Sequence, residues 1–546
     1  MSGRFLLSRE WRQYKAHDTI PATITMARAA DPAPDLAPVQ EYHRSLCGAS
    51  TLRRLSRATD SGHCMTTRPD SLDALRARYG DRYKWMVMLT VMVGMVAAIM
   101  SSTIVTVAVP DLSRHFAIGQ ERAQWVSAAF MVAQTLSMLL TPWLMQRFGL
   151  RRTYLGAMLL LMTGGIVGGL SVNFTVLIAM RVAEGLSAGV IQPIPNILIM
   201  RSFPRAEQGR AMGIFGFGVL LAPAMGPTIG GLLVQSFGWR SIFFVVVPFC
   251  LVGLVLGRKM LATGTGASEN KKPLDWVGLM LVSVATVCLL NGMVELHNPS
   301  SAQAWVLFGI GLVAAPAFVV HQLHARRPML ELRVAARRQV AMGAIVGFLY
   351  GFGLFGSTYL LPVYFQEALG YSPSAAGLVM LPAGIALGLT IPVAGRLADR
   401  MHPERLVMFG VMMLGVFTAS MALFSPATPL IVTMLFVMLS RIGLGVIATP
   451  LSLASVHGLA PDEVTHAVSM TSFMRQFGGA MGVSIVGIAL EWRLRTYGVN
   501  LADPTISAAR KADAFDELFV GLALTIMLAA IAAWHMKSRR HVRAGQ

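Results

Sequence analysis

From Trp85 to Met536 the chain is a succession of apolar, nearly uncharged stretches of about twenty residues, the length a helix needs to cross a bilayer. They fall near 85–109, 123–143, 153–172, 175–198, 210–234, 240–258, 275–295, 303–322, 339–362, 374–394, 405–424, 429–450, 465–490 and 516–536, fourteen in all. This pattern narrows the fold more than any motif does. Hydrocarbon offers no partner to a free amide, so such segments fold as helices that satisfy their own backbones. The expected class is an all-α polytopic membrane protein. Charged residues make up 13% of the chain and hydrophobic ones 54%, about half the charge share of a soluble domain. The net charge of +19 does not mark a nucleic-acid binder, because Lys and Arg punctuate the apolar runs and form no patch.

The charges between spans set an orientation. Arg147, Arg151 and Arg152 follow the second span, Arg201, Arg205 and Arg210 the fourth, and Arg258 and Lys259 the sixth. Arg333, Arg337 and Arg338 follow the eighth, and Arg396, Arg400 and Arg405 the tenth. The alternate loops at 171–174, 296–302, 366–373 and 425–428 hold no Lys or Arg. Basic loops stay in the cytoplasm, which places both termini there. The loop after the twelfth span lacks Lys and Arg, and the loop after the thirteenth has several, so these two fit less well. Residues 1–84 read as a disordered basic tail, with Met65 an alternative start, and 537–546 as a short second tail.

The chain also echoes itself. Pro142 to Arg147 aligns with Gly395 to Arg400, and Arg181-Val-Ala-Glu-Gly185 with Arg441-Ile-Gly-Leu-Gly445. Both offsets are near 255 residues. A parallel repeat of this kind divides a transporter into two halves. The expected division is 85–258, 339–536, and an inserted pair of helices with its flanking loops at 259–338.

The stretch Ala211–Gly231 is unusual among the spans. Gly218, Ala222, Gly226 and Gly230 recur every four residues, a stripe on which another helix can pack closely. Pro223 and Pro227 bend it. Gly213, Ala222, Gly226-Pro227 and Gly230-Gly231 fit G-x8-[GA]-x3-GP-x2-GG, which resembles the antiporter signature of major facilitator drug exporters. Further similar stretches are Thr103 to Pro110, Leu361 to Ser372 and Arg475-Gln-Phe-Gly-Gly479. The resemblance is to the fourteen-helix drug:proton antiporter family of the EmrB/QacA type. It implies two six-helix bundles plus two inserted helices and export of lipophilic or amphipathic compounds by alternating access. It also implies a multi-pass location in a bacterial inner membrane, with small molecules, protons and lipid as partners. No cofactor, metal or catalytic group is implied; a periplasmic adaptor stays open as a partner, and a monomer is the expected state. An uncoupled metabolite or lipid facilitator, and a non-transporting receptor or assembly partner, are the alternatives.

No G-x-x-x-x-G-K-[ST] stretch is present, so an ion gradient is the energy source to consider. Charges deep in a span cost about 2.5–3.5 kcal/mol each and call for a role. Arg181 and Glu184 share a helical face and form a candidate proton-coupling pair: beside the arginine the acid stays ionised, and apart from it the acid takes a proton. A static pair pinning the helix is the alternative. The family usually has Gln where Glu184 stands, and an acid where Ser101 stands. Arg441 occupies the repeat-related place, and Arg475 reads as a snorkelling residue near a span end. The resemblance assigns Gln146, Arg147, Gly149, Arg151, Gly395, Asp399 and Arg400 to a cytoplasmic gate, with Gln146 replacing the family's Asp. Gly213, Ala222, Gly226, Pro227, Gly230 and Gly231 would form a hinge between the halves. Ser101, Gln134, Gln192, Asn196, Tyr350, Tyr359, Tyr364 and Arg441 are the candidates for a substrate cavity.

Overall fold

The computed structural model describes residues 71–263, 273–295, 302–326, 328–371, 373–424, 428–497 and 508–536. Of the expected tails at 1–84 and 537–546, residues 1–70 and 537–546 lie outside the described residues, as do the side chains of Ala222 and Pro227; residues 71–84, expected to be disordered, are instead helical at Leu72–Tyr79 and from Arg82 onward. The described residues are helical throughout, with no strand among them.

A short helix, α1 (Leu72–Tyr79), is capped by Ser71, whose Oγ accepts from the Ala74 N–H. Gly80 breaks it at φ 56°, a backbone angle that suits glycine. Next come α2 (Arg82–Ile104), α3 (Val109–His115), α4 (Gln120–Ser137) and α5 (Thr141–Gly169). They are followed by α6 (Phe174–Ile191), α7 (Ile194–Ser202), α8 (Arg205–Phe237), α9 (Ser241–Phe244) and α10 (Val246–Met260). The middle pair is α11 (Trp276–Glu295) and α12 (Ala302–His324). The remainder is α13 (Arg338–Val363), α14 (Pro373–Ala398), α15 (Pro403–Ala419), α16 (Leu430–Val456), α17 (Pro461–Thr496) and α18 (Ala508–His535). Starts are chemically marked: Asn173 Oδ1 accepts the Val176 N–H at 2.8 Å, and Pro403 and Pro461 open their helices.

Twelve helical stretches among the described residues are long and apolar enough to cross a membrane. One of them, Arg122–Gly169, has 48 residues and changes direction at Gly149, where φ 80° and ψ 164° leave the helical region. Separately, α8 runs for 33 residues.

Helices of the first half pack α4 and α5 on α6, and α2 on both α8 and α10. In the second half α13 packs on α17 and α18, and α16 on α14 and α15. Tyr154 exemplifies the cores. It is fully buried, its hydroxyl donates to the Thr90 carbonyl at 2.7 Å, and Gly94, Gly253 and Gly257 make room for its ring. The halves touch through α8 on α14 and α7 on α17. Between them, α11 and α12 form a close hairpin in which a Cβ at Gly292 would reach the Phe308 nitrogen, 2.7 Å away. Asp275 ties its ends. The carboxylate accepts from Gly278 N–H (2.8 Å) and Gln322 Nε2 (2.7 Å) and pairs with His321 Nε2 (2.9 Å). Partial burial pushes that carboxyl up, but these hydrogen bonds outweigh it and hold it below the usual range. Outward, α11 and α12 present Trp276, Met280, Trp305 and Val313, an apolar surface of the kind lipid covers.

Candidate functional site

Arg181 is 0% exposed and Glu184 1%, so neither charge meets water. Both project from α6, one turn apart, and form an ion pair. The structure supplies a third member from α2. Ser101 Oγ donates to Glu184 Oε2 at 3.0 Å, and Arg181 reaches the Ser101 Oγ and carbonyl at 3.1 and 3.2 Å. Arg181 Nε donates to the Val126 carbonyl at 2.9 Å, and its guanidinium lies 4.3 Å from the centre of the Phe130 ring on α4. One guanidinium nitrogen, Nη2, has no partner among the described residues. Glu184 fits because Gly164 and Gly165 of α5 leave its side chain room; a Cβ on Gly164 would lie 2.6 Å from Glu184 Cγ. A buried pair of this kind is costly to desolvate and gains from every such hydrogen bond. Ser101 was expected to line a cavity. Instead it is 2% exposed and belongs to this cluster, because α2 turns its hydroxyl toward α6.

The second half repeats the arrangement without the acid. Arg441 Nη1 donates to Ser357 Oγ at 3.1 Å and Thr358 Oγ1 at 3.4 Å. Ser357 meets Arg441 as Ser101 meets Arg181, and at the offset that pairs the two arginines the place of Glu184 is taken by Leu444. Arg441 is 5% exposed, and its Nη2 has no partner. Arg475 is half-buried in α17, fourteen residues after the helix opens at Pro461.

Other cavity candidates separate. Gln134 Nε2 donates to Gln192 Oε1 at 3.2 Å, joining α4 to α6's end; Asn196 is half-buried. Tyr359 is 38% exposed, and Tyr350 is buried beside α17. Tyr364 is a correction. It is fully enclosed among Phe365, Phe515 and Phe519 with its hydroxyl donating to the Phe424 carbonyl, so it is a core residue.

The glycine stripe of α8 serves two partners. At its start, Gly209 and Gly213 pack on Gly395 and Pro392 of α14, in the other half. Farther along, Gly218, Gly226 and Gly230 pack on Met92, Thr103 and Ile104 of α2, in their own half. Gly231 is looser, with Val107 Cγ1 3.9 Å from a Cβ placed there. The expected hinge between halves is thus corrected: Gly226 and Gly230 face α2, because the helix crosses from one neighbour to the other along its length.

Asp399 closes the seam beside Gly395. Its two oxygens accept the N–H groups of Gly209 (2.6 Å) and Arg210 (2.8 Å) near the positive start of α8. Burial pushes this carboxyl up, the two amides pull it back, Glu207 pushes it up again, and the balance is a raised value. The repeat-related loop uses other residues. Gln146 Nε2 lies 2.9 Å from His466 Nε2 on α17, and His466 Nδ1 accepts the Glu331 N–H at 3.3 Å. Arg201 adds donations to the Pro461 carbonyl and Thr465 Oγ1. Arg147 rests on Trp143 and Phe148, 5.5 and 5.8 Å from their ring centres, and Arg151 donates to the Arg258 carbonyl. Arg400 follows α14 directly, its N–H closing a turn on the Leu397 carbonyl. Neither His466 nor Ser357 was read as a site residue from the sequence.

Two cavities lie at this arginine-rich end. One of about 970 Å³ is bordered by Arg201, Gln208, Asp399, His402 and Asp462. The other, about 610 Å³, is roofed by α1 and bordered by Arg76, Lys84 and Arg201.

A Major Facilitator Superfamily family model matches residues 91–483. The Multidrug resistance protein B homolog of Mycobacterium tuberculosis (strain H37Rv) is 31% identical over 447 residues, 79% of this chain and 80% of that protein. The Multidrug export protein EmrB of Escherichia coli K12 is 29% identical over 391 residues, 71% and 76% of the two chains. The Riboflavin transporter RibZ of Clostridioides difficile is 25% identical over 451 residues, 82% and 97%. The crystal structure of a XylE double-tryptophan mutant superposes with a TM-score of 0.58 at 14% identity, covering 83% of this chain and 96% of that one, a likeness of fold.

Proposed function

Because the chain belongs to the Major Facilitator Superfamily, in the drug:proton antiporter family of the EmrB type, we propose that it is a secondary active exporter. It would take lipophilic or amphipathic compounds from the cytoplasm or inner leaflet and exchange them for protons. Counting the arms on either side of Gly149 separately and adding α8 makes fourteen passes. With an even number of passes and the arginine-rich loops inside, both termini are cytoplasmic in a bacterial inner membrane. The seam at Asp399 and Gly395 is then the cytoplasmic gate, held shut.

One observation carries the coupling: a wholly buried carboxylate, Glu184, balanced by one arginine and one serine at the heart of the first half. A proton entering the cluster frees Arg181 from Glu184, and a proton crossing the membrane releases about 2.3 kcal/mol per 100 mV. Proton release from purified protein on adding ethidium, compared with Glu184→Gln, tests it. The wild type should release protons and the variant should fall at least tenfold. A variant that releases protons as the wild type does would reject Glu184 as the carrier. A second reading, an uncoupled facilitator for a metabolite, is favoured by the likeness to RibZ and by a hydroxyl at Ser101 where the family has an acid. Transport into proteoliposomes that is indifferent to a pH gradient would select it.

A further inference from the structure

The cavity of about 610 Å³ beneath α1 has a wall of two kinds. One side is apolar: Val87 of α2, Met145 of α5, Leu198 of α7 and Leu261, just past α10, all border it and all are buried. The other side is basic. Arg76 of α1, Lys84 of α2 and Arg201 of α7 border it, with Asp81 as the opposing acid. Arg76, Asp81 and Arg201 are exposed and Lys84 is half-buried, so the charged side reaches water. These cations keep hydrogen-bonding capacity. Lys84 Nζ donates to Glu207 Oε2 at 2.6 Å, one of the three bonds an ammonium can make. Arg201 spends Nη2 on the Pro461 carbonyl and Thr465 Oγ1, at 2.8 and 2.7 Å, while its Nε and Nη1 donate to no described residue. The Arg76 guanidinium makes no ion pair with any described residue.

Basic residues alone say little at an end of the molecule that is rich in arginine. What sets this place apart is an enclosed volume, within the range of about 300–1,000 Å³ typical of small-molecule pockets, that joins a basic mouth to a dry apolar interior. Such a shape fits an amphiphile lying with its head outward. With Asp81 and Glu207 both counted against the three cations, positive charge is still in excess, so the head is an anion. The cations come from three different helices and approach from different sides. A phosphate, with oxygens pointing in several directions, can meet all three, and guanidinium groups suit it. The Ser202 hydroxyl on the same border adds a neutral donor.

We infer that this cavity binds a phosphate-bearing amphiphile, with the phosphate among Arg76, Lys84 and Arg201 and the apolar body on Val87, Met145 and Leu198. An anionic phospholipid is one source of that chemistry, since basic pockets at the ends of membrane helices take lipid head groups; a soluble phosphate ester is the other. Arg201 links the site to the seam, because the side chain that meets the phosphate also holds Pro461 and Thr465 of the second half. A bound anion fixes that side chain in its bridging position, so occupancy favours the closed seam. The site is separate from the Glu184 cluster, and its binding does not rest on the exporter reading.

Native mass spectrometry of the purified full chain in an uncharged detergent tests this with two pairs of probes. One arm sets dioleoylphosphatidylglycerol against dioleoylphosphatidylcholine, and the other sets hexyl phosphate against hexyltrimethylammonium. The expected result is phosphatidylglycerol bound at least tenfold more tightly than phosphatidylcholine and displaced by hexyl phosphate. Arg76→Gln combined with Lys84→Gln should weaken binding at least tenfold. Ser202→Trp, which fills the cavity and removes no charge, should do the same. Arg405→Gln, an exposed cation at the same end that does not border the cavity, should leave binding unchanged. Each variant is checked by its melting profile; should the double variant fail to fold, Arg76→Gln alone carries the test, with a loss of about threefold. Hexyl phosphate bound without a preference between the lipids, and lost in the variants, would support the site with a soluble ester as its ligand. Phosphatidylglycerol bound but not displaced by hexyl phosphate, and lost in the variants, would support it with lipid as its ligand. Equal binding of the two lipids with no binding of hexyl phosphate, preference for hexyltrimethylammonium, or binding that the double variant and Ser202→Trp leave unchanged would overturn the assignment. Arginine-dependent binding in a protein that moves no ethidium across proteoliposomes would support the site while rejecting the exporter reading.

Discussion

Arg181, Glu184 and Ser101 form a closed set, and their dependence on one another gives a sharp expectation. Glu184→Ala leaves Arg181 buried and unmatched, which should cost on the order of 3–5 kcal/mol and lower the melting temperature clearly. Moving the carboxylate to its neighbour, as Ser101→Asp with Glu184→Gln, puts an acid back beside the same guanidinium. Fluorescence-detected melting should show most of the loss absent in that double variant, and dye-driven proton release should return to within about tenfold of the wild type. If the double variant releases no more protons than Glu184→Gln alone, the position of the acid on α6 is itself required. The sequence made Arg181 and Glu184 legible, since two charges one turn apart in an apolar run stand out. It did not reveal Ser101 as their partner. That depends on how α2 is rotated against α6, which packing decides.

Among the elements, α8 shows best how spacing becomes mechanism. Its small residues were readable as a stripe, but a stripe does not say which neighbour it meets. In the structure the first part faces α14 and the rest faces α2, so Gly209, Gly213 and Gly216 stand in the seam between halves, while Gly218, Gly226 and Gly230 do not. Gly395→Val would drive a side chain into the Gly209 carbonyl. It should cut transport at least tenfold, measured as dye efflux at matched expression, while Gly231→Ala, which meets only Val107 at 3.9 Å, should change it little. The inserted pair is a second case. Its two apolar runs were plain in the sequence, but the clasp at Asp275 was not, because His321 and Gln322 are distant in the chain. The folded Asp275 value is depressed, so its contribution to stability is complete above the ordinary carboxylate range and fades as pH falls through the folded value. The melting difference between wild type and Asp275→Asn should therefore shrink as the pH is lowered below about 4.

For the whole molecule, the repeat, the helix pattern and the loop charges together announced a two-part helical transporter before any coordinates. What they could not announce is that the halves meet in this structure at the arginine-rich end, through Asp399 on the α8 amides, Gln146 with His466, and Arg201 with Pro461 and Thr465. These contacts join residues as far apart as 320 positions, beyond any local pattern. Alternating access requires that this seam come apart and re-form during each cycle. Spin labels at Ala206 and Met401, both exposed on opposite sides of the seam, read that directly by double electron–electron resonance in nanodiscs. The expected result is two distance populations, with the short one matching the closed seam and the balance shifting when pH is lowered or ethidium is added. A single distance, unmoved by either change in protein that still exports the dye, would contradict alternating access at this seam.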